Sequence, residues 1–409
     1  MTISSGVAHG ETQDDIDPAL VDVQNDISFG LEEVNEVLSE LIALQADRKA
    51  KDGELLNSRL GIGGEKPETL ARIGARYDLS RDRVRQLHTK AVGQMIRMAQ
   101  VTGHRAPAVL GLRYPLDALD RQLVRALLME TYATDTDLAA HELSYLKLRL
   151  AGHAAADAKR IAGFVTQRIA AWQKKTNRRL ATLHDAEPRA TGQLNPWLAQ
   201  VDWPRAGTPA AIPTSSARTV DSDDHGRGRF YLDKVGRDVP FDSGLEAGLL
   251  WILNASKLVE TFQEQPAAVG HDLDGAERFR YPSVVARLVD GRIVLIDVEP
   301  LGHVGFHVNR VKAAAGRAYA HANGWGWLVW TGSRIGISDL LAGPVDAAIE
   351  RTLHDLLAHG PVRWSALREV RAETGLELLD FLALVLRNGW RWDRAPFRLS
   401  APPSHRPGR

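Results

Sequence analysis

The feature that most constrains this chain is the segment Thr69–Val92, TLARIGARYDLSRDRVRQLHTKAV. Leu70 and Ile73 mark one short helical face, and Ser80 supplies a side-chain oxygen that can cap a second, longer helix. The expected buried face of the second helix consists of Val84, Leu87, Ala91 and Met95. Because only Tyr77–Leu79 separates the two helices, the segment predicts a helix-turn-helix.

The outward face of the second predicted helix is rich in cations and hydrogen-bonding groups. The predicted DNA contacts are Ser80, Arg81, Asp82, Arg83, Arg85, Gln86 and Lys90. Arg81 can donate two hydrogen bonds to a guanine edge, Asp82 can accept one from a cytosine amine, and Gln86 can pair with adenine. The remaining cations would contact phosphates and position the protein. The alternative is a solvated basic helix face on which arginines pair with aspartates and no ligand binds.

Charge is distributed unevenly, although the formal net charge is zero. Residues 1–47 carry eleven acidic and no basic side chains, whereas residues 48–205 carry 27 basic and 16 acidic ones. Concentrated lysine and arginine favour a nucleic-acid partner, because phosphate contacts require them. The absence of cysteine excludes disulfides, thiol catalysis and zinc fingers. No apolar run is long enough for a membrane helix and no basic leader precedes Arg48, so a cytoplasmic protein is expected.

Composition and periodicity predict a multidomain α + α/β protein. The expected segments are an acidic disordered arm at 1–30, the helix-turn-helix unit at 31–110, a helical region at 111–186, a proline-rich linker at 187–227, an α/β unit at 228–335, a small winged-helix-like unit at 345–397 and a tail at 398–409. Within the second segment, apolar spacing predicts an amphipathic helix over 31–46 with an acidic outer face.

The α/β unit is predicted from alternating helical and extended patterns. Helices are expected at about 243–256 and 309–323, and strands near 279–288, 292–298 and 325–330. The dipeptide Asp290-Gly291 lies between the first two strands and is a strong hairpin signal. These elements complete an α/β pattern.

The segment Leu55–Val92 resembles region 4 of the bacterial sigma-70 family. The motif that carries the resemblance is Ser80-Arg81-Asp82-Arg83-Val84-Arg85-Gln86, preceded by Thr-Leu-x-x-Ile-Gly. In that family the corresponding helix reads the promoter −35 element. By position, the resemblance implies base contacts for Arg81, Asp82 and Gln86, and backbone contacts or support for Arg83, Arg85 and Lys90. Asp82 stands where the family usually has glutamate. The resemblance covers about 40 residues, and no aromatic-rich −10 melting region accompanies it.

The segment 241–330 resembles the PD-(D/E)xK nuclease fold, and above all the TnsA-type transposon-end endonucleases. That resemblance implies a metal site in which Glu246 and Asp297 are ligands and Glu299 stands in the place of the family's lysine. Ser283 follows Pro282 where the family has aspartate. The departures favour an inactive nuclease fold that serves DNA contact or assembly. The alternative is residual cleavage by Glu246, Asp297 and Glu299, which would require Mg²⁺.

Three functions therefore follow from the sequence. The favoured one is sequence-specific binding of double-stranded DNA in transcription initiation or regulation, with no cofactor. The second is a metal-dependent endonuclease of a transposition-type system, which the helix-turn-helix targets. The third is an assembly protein that docks on RNA polymerase through its sigma-like unit.

Overall fold

The computed structural model describes residues 28–180, 186–205, 207–218 and 228–402. The helices of the first half are α1 (Phe29–Arg48), α2 (Ala50–Leu60), α3 (Leu70–Tyr77), α4 (Arg81–Val101), α5 (Ala106–Arg113), α6 (Asp120–Ala133), α7 (Ala140–Leu150), α8 (Ala155–Leu180) and α9 (Ala186–Leu198). Helices α1, α2 and α4 to α8 contribute to one apolar core, in which Leu38, Leu41, Met95 and Leu146 are fully or almost fully buried. A helical first half is as predicted.

Helix α1 differs from the predicted helix with an acidic outer face. Phe29, the first residue of α1, packs against Trp364 and Phe381. Glu32 and Glu36, expected in solvent, are almost completely buried. Glu32 binds the guanidinium of Arg394, which is equally buried. Both sides of α1 are covered because it packs between the helical core and the C-terminal unit, and Phe29 and Gly30 belong to it rather than to the arm.

The α/β unit is built on a four-stranded sheet. The strands of the whole unit are β1 (Gly228–Leu232), β2 (Arg237–Phe241), β3 (Val259–Glu264), β4 (Val269–Leu273), β5 (Ala276–Arg280), β6 (Val284–Leu288), β7 (Ile293–Val298) and β8 (Gly326–Trp330). The helices of the unit are α10 (Gly244–Ala255) and α11 (His307–Ala322). The sheet order is β3-β6-β7-β8; β6 is antiparallel to β3 and β7, whereas β8 is parallel to β7. The parallel pair follows from the crossover through α11. The pairs β1–β2 and β4–β5 form separate hairpins.

The predicted strand at 279–288 is in fact two strands that belong to different sheets. β5 ends at Arg280 and pairs with β4, whereas β6 begins at Val284 and pairs with β3 and β7. Pro282 lies between them and has no N–H with which to continue a ladder. The hairpin at Asp290-Gly291 is confirmed, since Gly291 has a φ of 86° and joins β6 to β7.

The predicted linker at 187–227 contains ordered structure. Helix α9 occupies its beginning, and the residues after α9 pair with the sheet through Asp202, whose N–H donates to the carbonyl of Trp327. The reason is apolar burial, because Leu194, Trp197 and Val201 all join the core of the α/β unit. Residues 219–227 of the predicted linker lie outside the described residues.

The C-terminal unit follows β8. Its elements are α12 (Ile337–Ala342), α13 (Ala347–Ala358), β9 (Val362–Arg363), α14 (Trp364–Thr374), α15 (Leu378–Asn388), β10 (Arg391–Asp393) and β11 (Arg398–Ser400). The three strands form an antiparallel sheet in the order β10-β11-β9. Because β11 pairs with both neighbours, the predicted tail at 398–409 contributes its first residues to this sheet. In the described part of the chain, no helix has the length and apolar character that crossing a membrane requires.

Candidate nucleic-acid interface and carboxylate pocket

The turn between α3 and α4 is specified by local chemistry. The Oγ1 of Thr69 accepts from the N–H of Arg72 and caps α3, and the Oγ of Ser80 accepts from the N–H of Arg83 and caps α4. Helix α3 ends at Tyr77, and its C-cap residue Asp78 has a φ of 54°. A Cβ at Gly74 would lie 2.4 Å from the carbonyl oxygen of Leu79, so only glycine permits this close approach.

A small apolar core fixes the angle between the two helices. Leu55, Leu70, Ile73 and Val84 are buried in it. Ala91 and Met95, further along α4, are also buried, in the main helical core. Leu87 is only partly buried and packs on the edge of the small core. Apart from the buried His88, the inward face of α4 is therefore apolar, as the sequence predicts, and its opposite face is presented to solvent.

All seven predicted DNA contacts lie on the exposed side of α4 or at its cap. Ser80, Arg81, Asp82, Arg83, Arg85, Gln86 and Lys90 are all exposed. Asp82 pairs with Arg85 at 2.9 Å, and the Nη1 of Arg83 donates to the Oε1 of Gln86 at 3.2 Å. Ion pairs this exposed contribute little to stability, so a duplex can replace them at small cost. The structure thus brings these side chains together at the N-terminal end of one accessible helix.

Glu246 lies at the start of α10 and is held both by neighbouring residues and by a lysine of the helical half of the molecule. Its Oε2 accepts from the N–H of Asp242 at 2.8 Å, and its own N–H donates to the Oγ of Ser243. Its Oε1 is 3.2 Å from the Nζ of Lys66, which belongs to the loop between α2 and α3. Lys66 is also 2.9 Å from Asp135, a carboxylate on the connection between α6 and α7. Burial opposes the charge of Lys66, but these carboxylates raise its pKa above the ordinary value.

Asp297 and Glu299, at the end of β7, are also engaged. The guanidinium of Arg280 binds Asp297, and the Nε1 of Trp327 donates to the same carboxylate at 2.9 Å. Burial lowers the pKa of Arg280 to about 10. Glu299 accepts from the Nδ2 of Asn309 at 2.8 Å, and burial raises the pKa of Glu299 to about 7. The Oγ of Ser283 accepts from the N–H of Val298, the last residue of β7.

These groups line one cavity of about 900 Å³ between the helix-turn-helix unit and the α/β unit. Glu246, Asp297 and Glu299 therefore share a cavity, as the sequence resemblance implies. Neither Lys66 nor Asp135 is predicted from the sequence as part of this site. Lys66 is separated by 180 residues from Glu246, and no local pattern indicates such a pair.

The arrangement does not fit Mg²⁺. A magnesium site needs several carboxylate oxygens that are free to converge on one ion. Here Lys66 neutralises Glu246 and Arg280 neutralises Asp297, and burial raises the pKa of Glu299 to about 7, so this carboxyl is only partly ionised at neutral pH. Among the described residues, no group of three or more acidic or histidine side chains is placed to hold a metal ion. Glu246 and Asp297 act here as partners of Lys66 and Arg280.

Comparison with known proteins gives one match. The family model for Sigma-70, region 4 matches residues 54–95, about a tenth of the chain, and this segment contains α3 and most of α4. No curated protein and no solved structure is similar enough to this chain to count as a match. The predicted sigma-70 region 4 helix-turn-helix is therefore supported, whereas none of these comparisons supports the TnsA-type resemblance.

Proposed function

We propose that the protein binds double-stranded DNA in a sequence-specific manner and acts in transcription initiation or regulation in the cytoplasm. The observation that carries this proposal is the face of α4, where seven polar or charged side chains are exposed over a buried apolar core. The match to Sigma-70, region 4 over the same residues supports it. The first turn of the second helix is also where helix-turn-helix proteins place their base contacts.

In this proposal the side chains of α4 divide between two tasks. Arg81, Asp82 and Gln86 read base edges in the major groove. Arg83 and Arg85 contact phosphates. On binding the duplex, Arg83 releases its present partner Gln86, and Arg85 releases Asp82. Ser80 and Lys90 contact the backbone at the two ends of the face.

Selection of bound sequences from random duplex DNA would identify the preferred site, and two variants then test the division. Arg81→Ala should cost about 1–3 kcal/mol on that site and relax its sequence preference. Lys90→Ala should weaken binding to all sequences about equally and lower the salt slope by about one. Lys159→Ala, an exposed change on α8, serves as the control. If both α4 variants lose the same affinity on every sequence, the base-reading role is wrong.

A second candidate is a metal-dependent endonuclease of a transposition-type system. Its support is the sheet, in which three antiparallel strands and a parallel fourth follow α10, and the shared cavity of Glu246, Asp297 and Glu299. Because cations neutralise two of these carboxylates, we propose that the unit is an inactive nuclease-like fold. Incubation with plasmid and Mg²⁺ or Mn²⁺, beside a Glu246→Ala/Asp297→Ala control, tests this. Cleavage that the double change abolishes would show that the unit is a working nuclease.

The third candidate is docking on RNA polymerase. Its support is the match to Sigma-70, region 4. Size-exclusion chromatography with bacterial core RNA polymerase tests it, and co-elution that does not depend on DNA would favour this candidate. Arg81→Ala should leave such a complex intact if the docking surface differs from the base-reading face.

A further inference from the structure

The loop between α2 and α3 reaches into the cavity between the helix-turn-helix unit and the α/β unit. Gly61 opens the loop with a φ of 68°, and Gly64 lies against the ring of Phe306, where a Cβ would come within 2.6 Å. The carbonyl of Gly64 accepts from the Nδ2 of Asn309 at 3.1 Å. These contacts hold the next two residues, Glu65 and Lys66, inside the cavity.

Glu65 is held by two cations of the α/β unit. The Nζ of Lys312, on α11, lies 2.7 Å from the Oε1 of Glu65. The Nη1 of Arg278, on β5, lies 3.4 Å from the Oε2 of the same carboxylate. Although burial opposes its ionisation, these cations lower the pKa of Glu65. The carboxylate therefore occupies a cationic niche as an anion.

His271, on β4, completes the niche. It is more than nine-tenths buried and lines the cavity beside Arg278 and Lys312. Neither of its ring nitrogens has a hydrogen-bond partner among the described residues. Phe279, the neighbour of Arg278 on the hairpin, lines the same cavity and is 60% exposed. An exposed aromatic ring beside cations is typical of surfaces that contact nucleic acid.

We infer that Lys312, Arg278 and His271 form a phosphate-binding niche, which Glu65 fills when no ligand is bound. A phosphate presents several anionic oxygens, so it can engage both cations and one imidazole nitrogen, whereas the two carboxylate oxygens of Glu65 reach only the cations. The phosphate can belong to a DNA backbone or to a free phosphate ester. This niche is on the α/β unit and is separate from the base-reading face of α4.

Glu65→Gln tests the niche because it removes the competing charge and keeps the shape of the side chain. The variant should bind a short duplex of random sequence about two- to fivefold more tightly than the unaltered protein, which corresponds to the strength of one exposed ion pair. Its logarithmic salt slope should steepen by about 0.9, the value for one additional phosphate contact. Glu260→Gln, an exposed change on β3, removes the same charge and should leave both values unchanged.

The DNA affinity of Lys312→Ala distinguishes a phosphate niche from a contact that only holds the two units together. If Glu65 only holds the two units together, loss of Lys312 breaks the same contact and raises DNA affinity as Glu65→Gln does. If Lys312 binds phosphate, its loss gives no gain, and Glu65→Gln no longer has an effect in the Lys312→Ala background. A gain of DNA affinity in Lys312→Ala would therefore overturn the inference.

Calorimetric titration with sodium pyrophosphate distinguishes the two sources of phosphate. Tighter binding of both duplex and pyrophosphate by Glu65→Gln assigns the niche to a nucleic-acid backbone, and a gain for pyrophosphate alone assigns it to a free phosphate ester. No gain for either probe would overturn the inference. All measurements are repeated with Arg81→Ala added to each variant. If base reading by α4 fails but the niche is real, Glu65→Gln should still increase affinity in this background.

Discussion

Replacement of Lys66 by methionine should destabilise the protein by about 2–4 kcal/mol. The Nζ of Lys66 is 2.9 Å from the Oδ2 of Asp135 and 3.2 Å from the Oε1 of Glu246. The side chain of Asp135 is only 1% exposed, so the change leaves a buried carboxylate without its cation. Removal of one partner of a buried pair costs about 3–5 kcal/mol, and the value is lower here because Lys66 itself is one-third exposed.

The cost of protonating the carboxylate sets a similar upper limit on the stability that Lys66→Met loses. A variant that lacks the lysine can neutralise a buried carboxylate by protonation, which costs about 4 kcal/mol at pH 7 for an ordinary aspartic acid. The same proton costs only about 1.5 kcal/mol at pH 5, so the loss of stability in Lys66→Met should shrink as the pH falls. The change in the free energy of unfolding therefore carries a pH signature that a packing defect would not have.

Urea unfolding, followed by tryptophan fluorescence, measures this loss. The double variant Lys66→Met/Asp135→Asn should recover most of it, because the neutral amide no longer requires a cation. Lys159→Met, an exposed change on α8, should remain within about 0.5 kcal/mol of the unaltered protein. A loss below about 1 kcal/mol, or a double variant no more stable than Lys66→Met, would refute the reasoning.

Three further predictions concern buried charge and the acidic arm. Burial and the charge of Asp135 raise the pKa of Asp137 to about 8, so the contribution of Asp137 to stability should be lost as the pH rises from about 4 to about 8. Over this range the urea midpoint of Asp137→Asn should therefore shift upward relative to that of the unaltered protein, and parallel pH profiles would contradict this. Arg394→Met leaves Glu32 buried without its cation and should cost about 3–5 kcal/mol in urea unfolding, part of which a second change, Glu32→Gln, should restore. Deletion of residues 1–26, which carry six acidic and no basic side chains, should raise nonspecific DNA affinity at low salt, and unchanged affinity would show that the arm does not compete with phosphates.

The helix-turn-helix could be predicted from sequence because its determinants are local. The caps at Thr69 and Ser80 act within three residues of themselves, and the apolar spacing that places Val84 inward also places Arg81 and Gln86 outward. A short segment of sequence therefore contains almost all of the information that shapes this surface. The roles of the exposed side chains remain predictions.

The carboxylate pocket could be predicted only in part. The chain order of α10, β6, β7 and α11 brings Glu246 and Asp297 to one cavity, and that order is visible in hydrophobic patterning. The cations that neutralise them have no such pattern. Arg280 approaches Asp297 only because Pro282 ends one hairpin and lets β6 join another sheet, and Lys66 arrives from another unit altogether. Tertiary pairing between distant segments decides the chemistry of this site.

The contact between α1 and the end of the chain has a consequence during synthesis. Glu32 leaves the ribosome 362 residues before Arg394, and Glu36 accepts from the N–H of Phe397, which emerges still later. At typical rates of bacterial translation, this interval lasts on the order of tens of seconds. Throughout that time the nascent chain exposes Phe29 and two carboxylates that have no native partner. Chaperone capture should therefore act on α1, because the contacts of this helix with Arg394 and Phe397 form late.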